Sequence, residues 1–98
     1  MRFPGLQPYA NRHGGSGVTA WVRHGDLLVV EFGHGPVYVY AARAVGRPLF
    51  TALCDAALAG HGLSTLISRE VGDRYAARFD DREDWSRTLA GRRSRAAH

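Results

Sequence analysis

The sequence contains no lysine: all 13 of its basic residues are arginine, which against 9 acidic residues gives a formal net charge of +4. Arginine's planar fork suits phosphate and carboxylate, so the bias is compatible with a nucleic-acid or nucleotide partner, although a GC-rich coding sequence produces the same composition. A single cysteine, Cys54, excludes an intramolecular disulfide. Its setting, ALCDAAL, is that of a small buried apolar side chain in a reducing compartment. No stretch approaches the roughly 18 to 20 apolar residues of a membrane-spanning helix. The N-terminal MRFPGLQPYANRHGG has no apolar run of signal-peptide length, so a cytoplasmic location without membrane contact is expected.

Chemistry-bearing motifs are equally scarce. The histidines at 13, 24, 34, 61 and 98 have neither His-x-x-x-His spacing nor a cysteine partner, and no metal site or cofactor is expected. Cys54 and His61 come nearest to a nucleophile and base, but the thiol falls inside an apolar helix, away from anything that would hold it as thiolate. GGSG at 14–17 lacks the lysine and hydroxyl of a phosphate loop, and the acids at 80–84 need only a helix start to account for them. The sequence points away from an enzyme.

What remains is a chain of 98 residues and 10.7 kDa, enough for one modest core. Prolines and glycines crowd residues 1–17, predicting an irregular arm that Phe3, Leu6 and Tyr9 could pin to the body. VTAWVRH (18–24) and LLVVEF (27–32) predict two strands joined at Gly25-Asp26, a pair suited to a type II′ turn. VYVY (37–40) predicts a third strand after a four-residue loop, 33–36.

On that loop length Val30 faces Val39 and Glu31 faces Tyr38. Trp21, Leu28, Val30, Phe32, Val37 and Val39 then share one face, while Tyr38 and Tyr40 join Val22, His24, Leu27, Val29 and Glu31 on the other. PLFTALCDAALA (48–59) predicts a helix across the Trp21, Phe32 and Val39 face, with Leu49, Phe50, Leu53, Ala57 and Leu58 at helical spacing. LSTLISREV (63–71) predicts a short helix or turn. DDREDWSRTLAG predicts a C-terminal helix capped by Asp80 or Asp81, with Trp85 and Leu89 on one face and a basic tail after it. The expected class is α+β: a three-stranded antiparallel meander packed on one face by an α-helix, plus a short helical segment and a C-terminal helix. The expected parts are an arm (1–17), the α+β domain (18–79), and the terminal helix and tail (80–98).

Leu28, Val30 and Phe32, then Gly35, Tyr38 and Tyr40, the helix from Leu49 to Leu58, and Gly60, Ile67 and Tyr75 follow one another in an order that resembles the KTSC domain family. These small domains are named for a region at the C-terminus of some lysyl-tRNA synthetases, and the likeness covers roughly residues 17–75. It implies a stand-alone or appended bacterial or phage module that binds nucleic acid or protein and is not an enzyme. Two positions depart from the family pattern: Ser64 stands for its asparagine, and Ser68 for its arginine, with Arg69 one place late.

The function expected from residues and resemblance together is a non-enzymatic binding module. It would hold nucleic acid or another phosphate-bearing ligand through a tyrosine-bearing sheet face, Tyr38 and Tyr40, with Arg23, His24, Arg69, Arg74, Arg92 and Arg93 around it. Two rivals use the same residues otherwise. In one the sheet face is a subunit contact in a small structural or assembly protein of a phage or multi-subunit complex; in the other an oligomer sequesters a small nucleotide.

Overall fold

The computed structural model describes residues 5–11, 17–33 and 35–87. Five antiparallel strands run in chain order across one sheet: β1 (Gln7–Pro8), β2 (Val18–His24), β3 (Leu27–Phe32), β4 (Val37–Ala41) and β5 (Ala77–Phe79). Between β4 and β5 lie α1 (Ala42–Val45), α2 (Arg47–Ala59) and α3 (Leu63–Leu66), which continues as a π-helical turn, Ile67–Val71. Residues 82–87 form a last helix, α4. The fold is α+β, and the expected three-stranded meander is the middle of a wider sheet. The additions are edge strands of two and three residues, too short to show a period in sequence. The arm at 1–17 supplies β1, with Gln7 opposite Trp21.

The β2–β3 hairpin has the expected register, Trp21 opposite Val30 and Val22 opposite Val29. Gly25 at φ +59 supplies the positive angle that the first central position of a type II′ turn requires. One irregularity, a shift between Val18 and Ala20, bulges β2 at Thr19.

The β3–β4 register differs from expectation by one residue. Val30 faces Tyr38, Leu28 faces Tyr40 and Glu31 faces Val37. The cause is a connection of three residues, not four: Phe32 N–H donates to the Pro36 carbonyl at 2.9 Å, so Pro36 already belongs to the ladder. Proline has no N–H to return. Gly35 N–H donates instead to the Phe32 carbonyl at 2.8 Å, and Gly33 takes φ +57 to make the bend. Because side chains alternate, one residue of slip moves both tyrosines to the helix-covered face and both valines to the face opposite.

Each face therefore has its own core. Tyr40, Leu28, Val30, Trp21 and Val18 pack against Phe50, Leu53, Cys54 and Ala57 of α2, and against Leu63, Ile67 and Val71 beyond it. Each of the buried leucines, valines, Ile67 and Phe50 contributes roughly 1.5–3 kcal/mol on burial. Leu58, expected on the buried side of α2, is 71% exposed. Tyr9 pins the arm here, its N–H donating to the Thr19 carbonyl at 3.1 Å and its hydroxyl accepting from Leu63 N–H at 3.4 Å. On the second face Val22, Val29, Val37 and Val39 pack with Trp85 of α4, with Leu6, Leu27, Ala77 and Phe79 at the margin. Val39, expected under α2, belongs here.

The valine face also holds a buried carboxylate, Glu31, 3% exposed. Arg82 of α4 grips it with two parallel bonds, Nε to Oε2 at 3.0 Å and Nη2 to Oε1 at 2.8 Å, and the Thr19 hydroxyl donates to Oε1 at 2.7 Å. Asp81 caps α4 by accepting from Asp84 N–H at 2.8 Å. Cap, ion pair and Trp85 together hold the C-terminal helix to the sheet.

Removing Arg82 takes the guanidinium away from a carboxylate that stays buried. Arg82→Ala is expected to lower unfolding free energy by about 1–3 kcal/mol in urea titrations. Arg87→Ala, which breaks only exposed pairs to Glu83 and Asp84, is expected to change it by less than about 1 kcal/mol.

Candidate functional site

The tyrosine face does not meet α2 along its whole length. Where β4 begins, Phe32, Pro36, Tyr38 and Tyr40 on the sheet side and Ile67, Ser68, Gly72, Asp73 and Tyr75 on the other enclose an open cleft of about 380 Å³. Four aromatic rings gather there. Tyr38 and Tyr40, two residues apart on one strand face, lie nearly parallel at 13° with centroids 6.2 Å apart. Tyr75 meets Tyr38 edge-on at 4.9 Å, and Phe32 meets it edge-on at 5.5 Å.

The π-helical turn gives this wall its shape. Gly72 N–H donates to the Ile67 carbonyl at 2.8 Å, a five-residue step that widens the helix end before the chain turns back toward β5. Ile67 and Val71 anchor that turn in the core, so Ser68, Gly72 and Asp73 border the cleft. Ala76 N–H donates to the Val39 carbonyl at 2.7 Å, and this bond hands the chain to β5 with Tyr75 left at the cleft mouth. Tyr75 is 38% exposed, one of only two large apolar side chains exposed to that degree among the described residues.

A cation completes the cluster. Arg78 of β5 is the cross-strand partner of Tyr38, and its guanidinium lies 5.8 Å from the centre of that ring. Its Nε donates to the Tyr38 hydroxyl at 3.4 Å and Nη1 to Asp80 at 3.1 Å. The cationic face orients the phenol from outside while the cleft side stays open.

Of the residues expected in a site, Tyr38 and Tyr40 come together here in unequal roles. Tyr40 is 1% exposed and forms the floor; burial, with the phenols of Tyr38 and Tyr75 beside it, pushes its own phenol well above the ordinary range. Tyr38 is half-buried and forms a wall. Arg69 is exposed, next in sequence to Ser68 of the cleft lining. Arg74 turns its guanidinium onto the carbonyls of Glu70 and Val71, the latter at 3.4 Å.

Arg23 and His24 lie elsewhere. Arg23 is separated from Tyr40 by Leu28, which pairs with both, and its guanidinium sits 5.4 Å from the centre of the Phe50 ring. His24 points to the valine face with its partner Leu27. Arg92 and Arg93 fall outside the described residues.

Phe32, Asp73 and Tyr75 are not among the expected site residues, and Arg78, which stands with Arg69 and Arg74 in the basic run beyond α2, reaches the cluster only through its pairing with Tyr38. The signal available for Phe32 is its strand face, shared with Tyr38 once the shorter loop is counted.

A second cavity, about 410 Å³, opens at the far end of β4 among Asp26, Leu27, Ala41, Ala42, Arg43, Gly46 and Arg47. Its Arg47 is taken by Asp26 at 2.9 Å, and that guanidinium holds the carboxyl below its usual range. It has no aromatic wall. Cys54 is buried, and burial raises its thiol away from the reactive thiolate form. Among the described residues no three His, Cys, Asp or Glu side chains gather so as to hold a metal ion, and no helix is long and apolar enough to cross a membrane.

Comparison with known proteins adds no relative: no family model, curated protein or solved structure matches the chain.

Floor and mouth of the cleft should separate in a stability measurement. Tyr40→Ala is expected to cost about 3–5 kcal/mol, the loss typical of a buried aromatic ring. Tyr75→Ala is expected to cost less, about 1–2 kcal/mol by the same chemical denaturation, because 38% of its surface stays in water while the rest packs edge-on against Tyr38.

Proposed function

We propose that the protein is a non-enzymatic, KTSC-like binding module that holds single-stranded nucleic acid, taking one unstacked base into the cleft of Tyr38, Tyr40, Tyr75 and Phe32. The observation that carries this reading is the convergence of four rings on one open cleft in a chain whose only basic residues are arginines. Every base has a π-face, and stacking on aromatic side chains contributes about 1–3 kcal/mol per base in single-strand binders. Arginines flanking such a platform supply the salt-sensitive phosphate contacts. Arg69 is suited to that part: it is exposed and follows Ser68 of the cleft lining.

Less supports the rival reading of a subunit contact through the sheet. Among the described residues one sheet face is covered by α2 and the segment following it, and the other by Trp85 and Leu6. The two faces of the sheet already have partners within the chain.

The reading is checked by fluorescence anisotropy with labelled single-stranded RNA or DNA. Binding is expected at low salt, falling as salt rises. Tyr75→Ala, with circular dichroism showing the fold unchanged, is expected to weaken it at least about fivefold, and Arg69→Ala to reduce the slope of log K against log salt by about 0.7. Absence of binding at the lowest salt, where the electrostatic contribution is greatest, overturns the reading.

A further inference from the structure

Every wall of the cleft is aromatic, aliphatic or uncharged except at Asp73. This residue is exposed at the mouth. Among the described residues its carboxylate, like those of Asp55 and Glu70, makes no hydrogen bond or ion pair, whereas Asp26, Glu31, Asp80, Glu83 and Asp84 each meet an arginine; of the three, only Asp73 borders the cleft. The neighbouring cation does not neutralise it: Arg74 is spent on the Glu70 and Val71 carbonyls. In a protein with an excess of arginine, the aromatic cleft keeps one bare carboxylate at its entrance.

A carboxylate there repels phosphate and can only accept, through two adjacent oxygens. We infer that Asp73 selects the base entering the cleft and favours guanine, the one base whose Watson–Crick edge presents two neighbouring N–H donors. N1–H and the exocyclic N2–H of guanine meet both oxygens in parallel. Adenine and cytosine each offer one amino group beside a ring-nitrogen lone pair, and uracil offers one N–H between two carbonyls. Each of these sets an acceptor against a carboxylate oxygen. Unpaired bases are read on this edge while their faces stack on aromatic rings, so Tyr38 and Tyr75 would supply affinity and Asp73 discrimination. The inference rests on the single-strand reading above.

The test uses four seven-nucleotide RNAs, uridine throughout except for a central G, A, C or U, titrated against the full chain by anisotropy at low salt. The guanine oligomer is expected to bind about tenfold more tightly than the others, the discrimination typical of one good bidentate contact. Asp73→Asn exchanges one acceptor for a donor pair and matches the amino-and-lone-pair edges of adenine and cytosine. It is expected to bring the guanine preference within about twofold and to strengthen binding of the adenine and cytosine oligomers relative to the uridine one, with circular dichroism confirming an unchanged fold. Equal binding of all four oligomers, or a guanine preference that survives Asp73→Asn, overturns the inference and leaves the single-strand reading standing. Failure of all four to bind overturns both.

Discussion

The shape of this protein turns on the amide hydrogen that Pro36 does not have. An antiparallel pair exchanges two hydrogen bonds, and at the Phe32–Pro36 closure only one can form between the partners. The second passes to Gly35, which shortens the connection to three residues and fixes β4 one step from where a four-residue loop would put it. That step decides which face carries phenols and which carries valines. Everything in the cleft depends on it, because the tyrosines can meet Tyr75 and the π-helical turn only from the α2 side of the sheet.

The two cores answer to different forces. The α2 side is a conventional apolar interior in which large rings fill the wedge between sheet and helices. The valine side is thin, and its cover comes from the end of the chain: Trp85 for apolar contact, and Arg82 for the charge of Glu31. An ion pair with a buried carboxylate is weak evidence for stability, since desolvation of Glu31 offsets much of its attraction to the half-exposed Arg82. It is strong on position: a bidentate guanidinium and a hydroxyl from the Thr19 bulge leave α4 one docking register.

Much of the fold was legible where structure is local. Gly25-Asp26 sets the first hairpin, Pro48 and Gly60 bracket α2, and Asp81 caps α4. Legibility failed where a residue's role depended on a distant partner. Pro36 looks like loop because proline and glycine punctuate loops, yet its carbonyl is a ladder acceptor. β1 and β5 are two and three residues long and exist only because β2 and β4 offer them edges. Tyr38 and Tyr40 were visible as a pair, but the ring that closes the cleft, Tyr75, and the guanidinium behind it, Arg78, reach them across thirty-odd residues of helix and turn.

Glu31 and Arg82 are 51 residues apart, and this separation bears on how the chain is made. A ribosome that has delivered β1 to β5 and the helices between β4 and β5 still holds back the guanidinium that neutralises Glu31. Until it emerges, the Glu31 carboxylate competes for water, and the valines around it remain uncovered. The tyrosine side has its helices in hand earlier. The apolar contacts of Tyr40 and Leu28 with α2 thus use residues delivered earlier, and the opposite face closes only once Arg82 and Trp85 have followed β5.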